Sequence, residues 1–564
     1  KLQFRPGINR EGTNYSNEGG WFNGDKIRFR NGLVERIGGW TRSSNTQFEG
    51  TARKLHDFVT LQSENLLFIG SEKKTYLENA GIYNDITPLR ATVSLASNPV
   101  NTTGGAGSGV VTITTSTAHG ATTNDFVTLA SLTTTDGITA AQLNTEHVIT
   151  STPSTTTFTI TTAGSASSGS TTGGGSSGTA AFQISVGLNT TILGAGWSAG
   201  TWGRFTWNSD SGSLSGQTLR LWFADNFGED LVFNIADGSI YYWDASTNVT
   251  SRAVELSSLT GSSDAPVVAR KILVSDVDRH ILFFGANTIG TTVQDPLLIR
   301  FGSQESLTDF TPTATNTAGD LRLSKGSEII TAVQTSRQIL VWTDQALYSM
   351  QFIGPPFTFG VSMIGDNIRI AGPNTAISVN DVVYWMGQEN FYIYDGRIQA
   401  IPCSVRDYVF NDMNNQQSFK FHAGSIGSQT EIWWFYCSSS SSEIDRYVVW
   451  NYGEKVWYFG NLVRTTWNDR ASGLRSFPQA TGTDRYLFNH EDGLDDFATG
   501  SAVVINAFVE SSDFDIGDGQ QYMLINRILP DLSFGGSTAS NPAAKLTMRS
   551  RDFPGDDFTE SPSG

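Results

Sequence analysis

Cysteine is nearly absent from this chain: Cys403 and Cys437 are the only two in 564 residues. Two cysteines cannot build the disulfide framework of a small secreted scaffold. The expectation is two free thiols buried in strands, compatible with synthesis in a reducing cytoplasm. Histidine is scarce too. No two of His56, His119, His147, His280, His422 and His490 stand at a metal-ligand spacing such as HxxxH or beside a cysteine pair. There is no GxSxG nucleophile elbow and no GxxxxGK[ST] phosphate loop. No apolar run reaches the length of a membrane span, and the start carries no signal-peptide pattern, so nothing argues for stable membrane insertion. Helical periodicity is almost missing, which leaves β-structure. Basic charge is short as well, 37 Lys and Arg against 54 Asp and Glu, a net charge of −17. That balance excludes a protein that grips nucleic acid through clustered cations, though not a surface past which DNA slides without adhering.

Glycine (58 residues) and large aromatic rings (14 Trp, 34 Phe) are plentiful, enough for sizeable cores in two to four domains. The aromatics come in a repeating form. Residues 381–402 (DVVYWMGQENFYIYDGRIQAIP) hold an apolar run, a polar turn, a second apolar run closed by Asp395-Gly396, and the start of a third run. β-branched and aromatic runs of this kind, separated by Asn, Asp and Gly, read as an antiparallel meander. The form recurs at residues 66–79, 219–246, 281–287, 339–350, 431–437, 446–460 and 485–493. A short meander repeated every roughly 40–60 residues marks a β-propeller, whose blades cover one another and leave few free edges. The expectation is an all-β propeller of about six or seven blades, with a set of β-sandwiches as the alternative.

Five parts follow along the chain. Residues 1–26 read as an extended arm. Residues 27–90 open the propeller: strands at 27–30 (IRFR) and 33–37 (LVERI) flank Asn31-Gly32, a type I′ hairpin signal because both turn residues need positive φ. Residues 91–187, rich in Ser, Thr and Gly, alternate apolar residues with Thr and read as an inserted small β-domain, in which 164–178 (GSASSGSTTGGGSSG) reads as a flexible loop. The insertion is either decoration or a surface for binding a neighbouring protein or a glycan. Residues 188–500 resume the propeller, beginning near WGRFTW (202–207). They include one helical candidate at 404–417, where Val405, Tyr408, Val409 and Met413 share a face. RYLFNHEDG (485–493) is the candidate to pair with the 27–37 hairpin and close the repeat. Residues 501–564 carry longer alternating runs suited to a C-terminal β-layer. The chain stops just after a strand-like run, so a further stretch or a neighbouring subunit is expected to complete that layer.

The run PGINREGTNYSNEGGWFNGDKIRFRNGLVERIGGW (residues 6–40) resembles the opening of a family of structural proteins of short-tailed bacteriophages, the tail nozzle, tail tubular or tail-stabilisation proteins. The later blades and FDIGDGQQYMLINRILPDLSF (514–534) are similar less sharply, and AHGATTNDFVTL (118–129) resembles a module that recurs in phage virion proteins. The resemblance implies a homo-oligomeric ring, commonly sixfold, at the distal end of the tail tube, through which double-stranded DNA passes into the host. It implies as partners further copies of the chain, a tail adaptor or portal-proximal tail protein, and tail fibre or spike and needle proteins. It places the chain in the virion tail after synthesis in the host cytoplasm.

Candidates for chemistry are few. Asp513, Asp515 and Asp518 give D-x-D-x-x-D-G, but position 517 is Gly and the late Glu of an EF-hand loop is missing. The acidic doublets at 491–492, 495–496 and 556–557 read as solvated turns. Propellers do host glycosidases with paired carboxylates, yet the DG turns at 237–238 and 395–396 lack the flanking Ser and Thr-Trp of an Asp-box. Lys26, Arg28, Arg30 and Arg36 alternate in the first hairpin, with Arg28 and Arg30 on one face. They read as side chains snorkelling over a solvated face, or as contacts to an acidic neighbour or to DNA in a lumen. Trp222, Trp243, Trp385, Trp433, Trp434 and Trp457 would stack on sugars if exposed, but they stand in apolar runs and core packing is the better reading. The sequence thus assigns no catalytic, cofactor-binding or metal-binding residue and implies no cofactor. The reading is a non-enzymatic tail nozzle whose acidic lumen would repel phosphates. A glycan- or receptor-binding propeller of a tail fibre or spike is the alternative, and a propeller hydrolase the third.

Overall fold

A computed structural model describes residues 3–192, 218–469, 475–515, 524–537, 540–553 and 556–560. Among them strand dominates, and the α-helices are Ala140–Leu143 and Arg406–Asp412. The strands form seven antiparallel blade sheets, so the fold is all-β and of the propeller type. Four blades lie in one compact unit, Phe48–Asn367. The first runs through Ala52–Val59, Asn65–Ser71, Thr75–Asn79 and Ile82–Asp85. The second runs through Trp222–Phe227, Asp230–Ile235, Ile240–Trp243 and Val254–Glu255, and the third through Lys271–Val274, Ile281–Phe284, Leu298–Phe301 and Gly319–Arg322. The fourth holds Ile329–Gln334, Ile339–Thr343, Ala346–Gly354 and Thr358–Asp366. The other unit, Lys1–Gln47 with Ile368–Gly564, holds three. Its fifth blade is Ala376–Val379, Val382–Met386, Phe391–Tyr394 and Ile398–Ala400, and its sixth is His422–Ile426, Glu431–Tyr436, Arg446–Asn451 and Val456–Asn461. The WGRFTW stretch at 202–207 lies outside the described residues.

The seventh blade joins the two ends of the repeat. Thr466–Asn468, Gln479–Thr481 and Leu487–His490 are followed in the sheet by Trp40–Arg42, with Phe488 opposite Arg42 and His490 opposite Trp40. Residues 485–493 are therefore the closing element that the sequence indicates, but their partner is not the 27–37 hairpin. That hairpin satisfies its own backbone, Ile27–Arg30 against Leu33–Arg36, with φ 50° at Asn31 and 74° at Gly32. Its buried Ile27 and Phe29 belong to the same core as the sixth blade, where Phe29 meets Tyr458 at 5.8 Å. The turn's two amides donate to the Glu454 carboxylate at 2.7 and 3.2 Å.

The second and third blades have two buried faces, which explains why their strands read as unbroken apolar runs. In the second blade Trp222, Leu231, Phe233 and Trp243 pack with Phe58, Leu66 and Phe68 of the first. The alternate residues Phe223, Val232, Ile240 and Tyr242 pack with Ile272, Val274, Ile281 and Phe283 of the third. The third then turns Leu273, Leu282, Phe284 and Ile299 to Ala332, Ile339, Val341 and Tyr348 of the fourth. Strand alternation here sorts side chains between two cores, not between core and water. Each large apolar side chain so buried contributes about 1.5–3 kcal/mol before entropy is counted.

Close approach of neighbouring blades requires glycine at two places. A Cβ on Gly70 would stand 2.7 Å from the Trp222 ring, and one on Gly424 would stand 2.5 Å from the Trp467 ring. In both cases the indole N–H donates to the next carbonyl of the partner strand, Ser71 O at 2.7 Å and Ser425 O at 3.0 Å.

Between the first and second blades the chain makes a small barrel. Val110–Thr115 pairs with both Thr157–Thr161 and Leu89–Asn101, so the sheet returns on itself around Val111, Ile113, Phe158 and Phe182. Residues 164–178 are not the free loop that their composition predicts. Thr172–Gly173 pairs with Val100 and Asn101, and Asp136 accepts from the Ser168 hydroxyl and amide and from the Gly169 amide. Those donors, the Ser168 hydroxyl foremost, hold the Asp136 carboxyl down at about 2. An ionic network ties the barrel to the blades: Lys74 pairs with Asp85 at 3.0 Å and with Glu146, and Arg252 reaches Asp85 at 3.3 Å and Glu146 at 3.7 Å.

In the C-terminal region the strands are shorter than the sequence pattern predicts. Phe508–Ser511 pairs with Trp21–Asp25, which gives the N-terminal arm a strand of its own. Residues 524–534 form no strand, and Leu524 and Leu529 are exposed. Alternation alone does not make a strand where no partner edge receives it. A short helix, Arg406–Asp412, lies inside the 404–417 candidate, between a full helix and a connection with one helical turn; Val409 is buried on it, Val405 and Met413 are buried at its non-helical ends, and Tyr408 meets Phe459 at 4.4 Å.

Gly70→Ala and Gly424→Ala are each expected to lower stability by about 1–3 kcal/mol through overpacking. Gly535→Ala, whose Cβ would meet only Ser533 Oγ at 3.6 Å, should leave it unchanged. Denaturant midpoints of the three variants check this.

Candidate functional site

Propeller blades surround a central channel. In the four-blade unit the first strands of the blades stand side by side, Ala52–Val59 against Trp222–Phe227, then Lys271–Val274, then Ile329–Gln334. Their polar side chains form the one mixed cluster of amines, imidazole and carboxylates that interrupts these apolar strands. Lys54 and His56, two apart on one strand face, share that face with Phe58, which packs into the core between the first two blades. His56 Nε2 lies 3.3 Å from Asn226 Oδ1 and 4.0 Å from Asp225 Oδ1. Asp225 is fixed by backbone amides, that of Val274 at 2.9 Å and that of Asn226 at 3.0 Å. Lys271 donates to Thr331 Oγ1 at 3.0 Å and to the Ala332 carbonyl at 2.6 Å, with its ammonium 5.1 Å over the Phe223 ring. The first three blades of this unit thus each send a titratable group from the first strand toward the next blade.

Surrounding protein mutes these charges. Burial, and then the Lys54 charge, pull Lys271 down to about 7 and His56 down to about 4. Lys54 itself is lowered by burial against the opposing fields of Asp225 and Asp57. Burial raises Asp225 to about 6 although the Val274 amide opposes it. The His56 and Asp225 side chains nevertheless keep 19% and 25% exposure, so the cluster is wet and not sealed. At neutral pH it holds an amine and a carboxyl that change charge within about a unit of each other. Such a pair can bind a small polar ligand or relay a proton. It does not form a nucleophile–base pair, since both donations of Lys271 go to protein oxygens.

The sequence-derived candidates are dispersed. Of the six histidines only His56 enters this cluster. His119 sits between Phe158 and Phe182, His147 meets the Leu143 carbonyl, His280 meets Thr317, His422 stacks on Phe435, and His490 accepts from Arg464. No group of three or more His, Cys, Asp or Glu gathers as a metal set among the described residues. Cys437 is buried and Cys403 partly so, neither in a disulfide, and burial pushes the Cys403 thiol up. Asp513 and Asp515 do not converge: Asp513 takes Asn14 and Arg551, Asp515 takes Tyr15, and Asp518 lies outside the described residues. All six tryptophans considered for sugar stacking are buried at 0–2% exposure, which removes them as stacking platforms.

Arg28 corrects the reading of the first hairpin. It is 3% exposed, neither solvated nor available to a neighbour or to DNA. Its guanidinium pairs with Glu431 at 2.8 Å and Glu491 at 2.6 Å, while Tyr458 and Trp433 donate to Glu431 at 2.6 and 2.9 Å. Burial works against the Arg28 charge, but the two glutamates more than offset it and hold its pKa above the ordinary value. Arg30, two residues on, is exposed. Sequence reasoning missed Lys54, Asp225 and Lys271. The signal was present as lone charges inside otherwise apolar runs, ARKLHDFV, WFADNF and KILV.

Arg28→Met is expected to cost about 3–5 kcal/mol because it leaves Glu431 buried without its counter-ion; a thermal or denaturant melt checks it. Lys271 gives a pH test. An unfolded lysine keeps its proton to about pH 10.4, while folded Lys271 loses it near 7. Between those values the unfolded state binds more protons, so stability rises with pH. Lys271→Met should flatten that rise in midpoints measured from about pH 6 to about pH 10, and an unaltered slope would count against the assignment.

No protein-family model matches the chain, and no curated protein matches it. Among solved structures, the phage phi92 endosialidase is similar at 10% identity and a TM-score of 0.19, covering 99% of this chain and 91% of its own. A mutant Synechocystis apocarotenoid oxygenase is similar at 7% identity and a TM-score of 0.27, covering 71% and 89%. At such low TM-scores neither likeness carries a functional argument.

Proposed function

We propose that the chain is a structural component of a bacteriophage tail, and within that class a nozzle subunit that assembles as a ring and passes DNA during ejection. The observation that carries the proposal is the N-terminal run at residues 6–40, the stretch that resembles the tail nozzle family. This run supplies the buried Arg28 clamp, the hairpin held by Glu454 and the strand that completes the seventh blade. A lumen for DNA would lie on the symmetry axis between copies, not along the first strands of one chain's blades, where both signs of charge meet. The net charge of −17 suits a passage that phosphates leave readily.

A receptor-binding module of a tail fibre or spike is the second reading, and one observation favours it. Ala346–Gly354 and Thr358–Asp366 are nine residues each, longer than the strand they pair with inside the blade. Their hairpin carries no charged residue from 346 to 365, and Ile353 and Phe357 at its tip are 58% and 74% exposed. An apolar tip of that kind suits a partner or host surface.

Mass measurement of the purified chain, followed by negative-stain imaging with tail adaptor proteins, separates the readings. The expected outcome is a ring with a central hole, alone or on the adaptor. A monomer that never joins a tail and instead binds host cells through the apolar hairpin would overturn the nozzle in favour of the receptor-binding module.

A further inference from the structure

The outer strand of a blade is an edge, and an open edge invites pairing with another chain. Among the described residues six blades have that edge blunted. Val254–Glu255 and Ile398–Ala400 are too short to template a partner. Ile82–Asp85 ends on Asp85, which Lys74 and Arg252 hold, and Gly319–Arg322 carries Asp320 and Arg322. Val456–Asn461 is covered by the N-terminal arm: the Ile8 amide donates to the Trp457 carbonyl at 2.8 Å, and the Asn461 amide donates to Asp25 Oδ1 at 2.8 Å. The seventh sheet ends in the two-residue strands Asp495–Asp496 and Val503–Val504.

The fourth blade has none of these devices. Its outer strand, Thr358–Asp366, is nine residues long, holds no proline or lysine, and carries no charge before Asp366. That carboxylate is already engaged by Lys325 at 2.6 Å. Among the described residues the strand pairs only with Ala346–Gly354, and no backbone group of residues 360–366 bonds elsewhere. Val361 and Met363 are 36% and 50% exposed, and Ser362 between them is exposed too. The ladder is regular from Phe359, opposite Phe352, to Met363, opposite Tyr348, with an irregularity at either end. Within it Phe359, Val361 and Met363 share one face, and Gly360 and Ser362 the other.

We propose that this edge is closed by the same strand of a second copy, the two running antiparallel about a two-fold axis at Val361. The axis must pass through a residue, because opposed residues both turn their amides outward and outward groups recur at every second position. The regular stretch 359–363 is centred on Val361. Val361 then meets the partner's Val361, Phe359 meets the partner's Met363 on the same face, and Gly360 meets the partner's Ser362 on the other. The apolar row is its own complement, and the second face brings only small side chains together. Charge favours the same occupant. A net charge of −17 sets two copies against each other over most of their surface, whereas the paired stretch is uncharged and Asp366 falls outside it. Pairing uses up both edges, so the assembly closes at two and does not grow into a fibre. The proposal does not rest on the tail reading. A cyclic ring is built of head-to-tail contacts, so this two-fold contact belongs to the chain before it enters any ring.

Sedimentation velocity of the intact chain, run from low to high micromolar concentration, tests it. A contact of this size lies at the small, transient end of protein interfaces, so a monomer–dimer equilibrium is expected in that range. Val361→Lys and Val361→Asp should each raise the dissociation constant about tenfold or more, because like charges meet on the axis. An equimolar mixture of those two variants should restore dimers, which only a contact of residue 361 with itself does. Leu61→Lys, at a position 83% exposed in the first blade, should leave the equilibrium unchanged. Thermal melts check that the variants fold; if neither Val361 variant does, Met363→Lys decides the matter, with the same loss expected. A monomer at every concentration, a dimer indifferent to Val361→Lys, or no recovery in the mixture would overturn the proposal. A ring that forms in solution with no dimer step, unaffected by Val361→Lys, would remove this contact while leaving the nozzle standing.

Discussion

A four-stranded meander with aromatic and branched residues on both faces cannot be stable alone, because one face would always meet water. Most of this chain's architecture follows from that constraint. Trp222 and Phe223 are neighbours in sequence, yet one enters the core shared with the first blade and the other the core shared with the third. Within each unit neighbouring blades therefore depend on one another, and ring size sets the spacing between them. Where an indole must lie flat on a neighbouring strand, only glycine fits, as at Gly70 and Gly424.

The same dependence makes the two ends of the repeat the critical place. The terminal blade has three strands within residues 466–490; Trp40–Arg42 supplies the fourth, and Asp495–Asp496 pairs on its far side. Three short strand contacts would be a weak fastening. Arg28 reinforces it by reaching Glu431 in the sixth blade and Glu491 just beyond the seventh. A buried ion pair of this sort adds little net energy over an apolar contact, but it discriminates sharply against wrong registers because a slipped partner leaves a charge unmet. The run that carries the family resemblance is thus engaged in holding the fold together.

Polar groups penetrate these cores in two different states. Lys54, His56, Asp225 and Lys271 face one another; burial, helped at His56 and Lys271 by the Lys54 charge, draws their charges toward neutrality, and the cluster tolerates its setting. Arg464 cannot be neutralised in that way, since a guanidinium keeps its proton even when burial lowers its pKa to about 10. It is stacked and partly hydrogen-bonded but has no counter-ion. The first arrangement offsets its own charges, whereas the second leaves one guanidinium nitrogen without a hydrogen-bond partner among the described residues.

The repeat of aromatic meanders, the Asn31-Gly32 turn, the helix face at Val405, Val409 and Met413, and the burial of the tryptophans were all legible, because each rests on local chemistry: backbone preference, periodicity and transfer of apolar surface. Residues 164–178 misled because glycine and serine specify flexibility only when nothing captures their backbone, and Asp136, some thirty residues earlier, captures it. The pairing of residues 487–490 with 40–42, the ion pairs of Arg28 across some 400 residues of chain, and the meeting of Lys54 with Asp225 and Lys271 were decided by tertiary structure alone. A charge inside an apolar run is equally consistent with a solvated edge, a clamp or a ligand site until its neighbours in space are known. The sequence determined that the strands must be covered on both sides; which strand covers which, and which charges that leaves facing each other or without a counter-ion, depends on long-range register that no local pattern encodes.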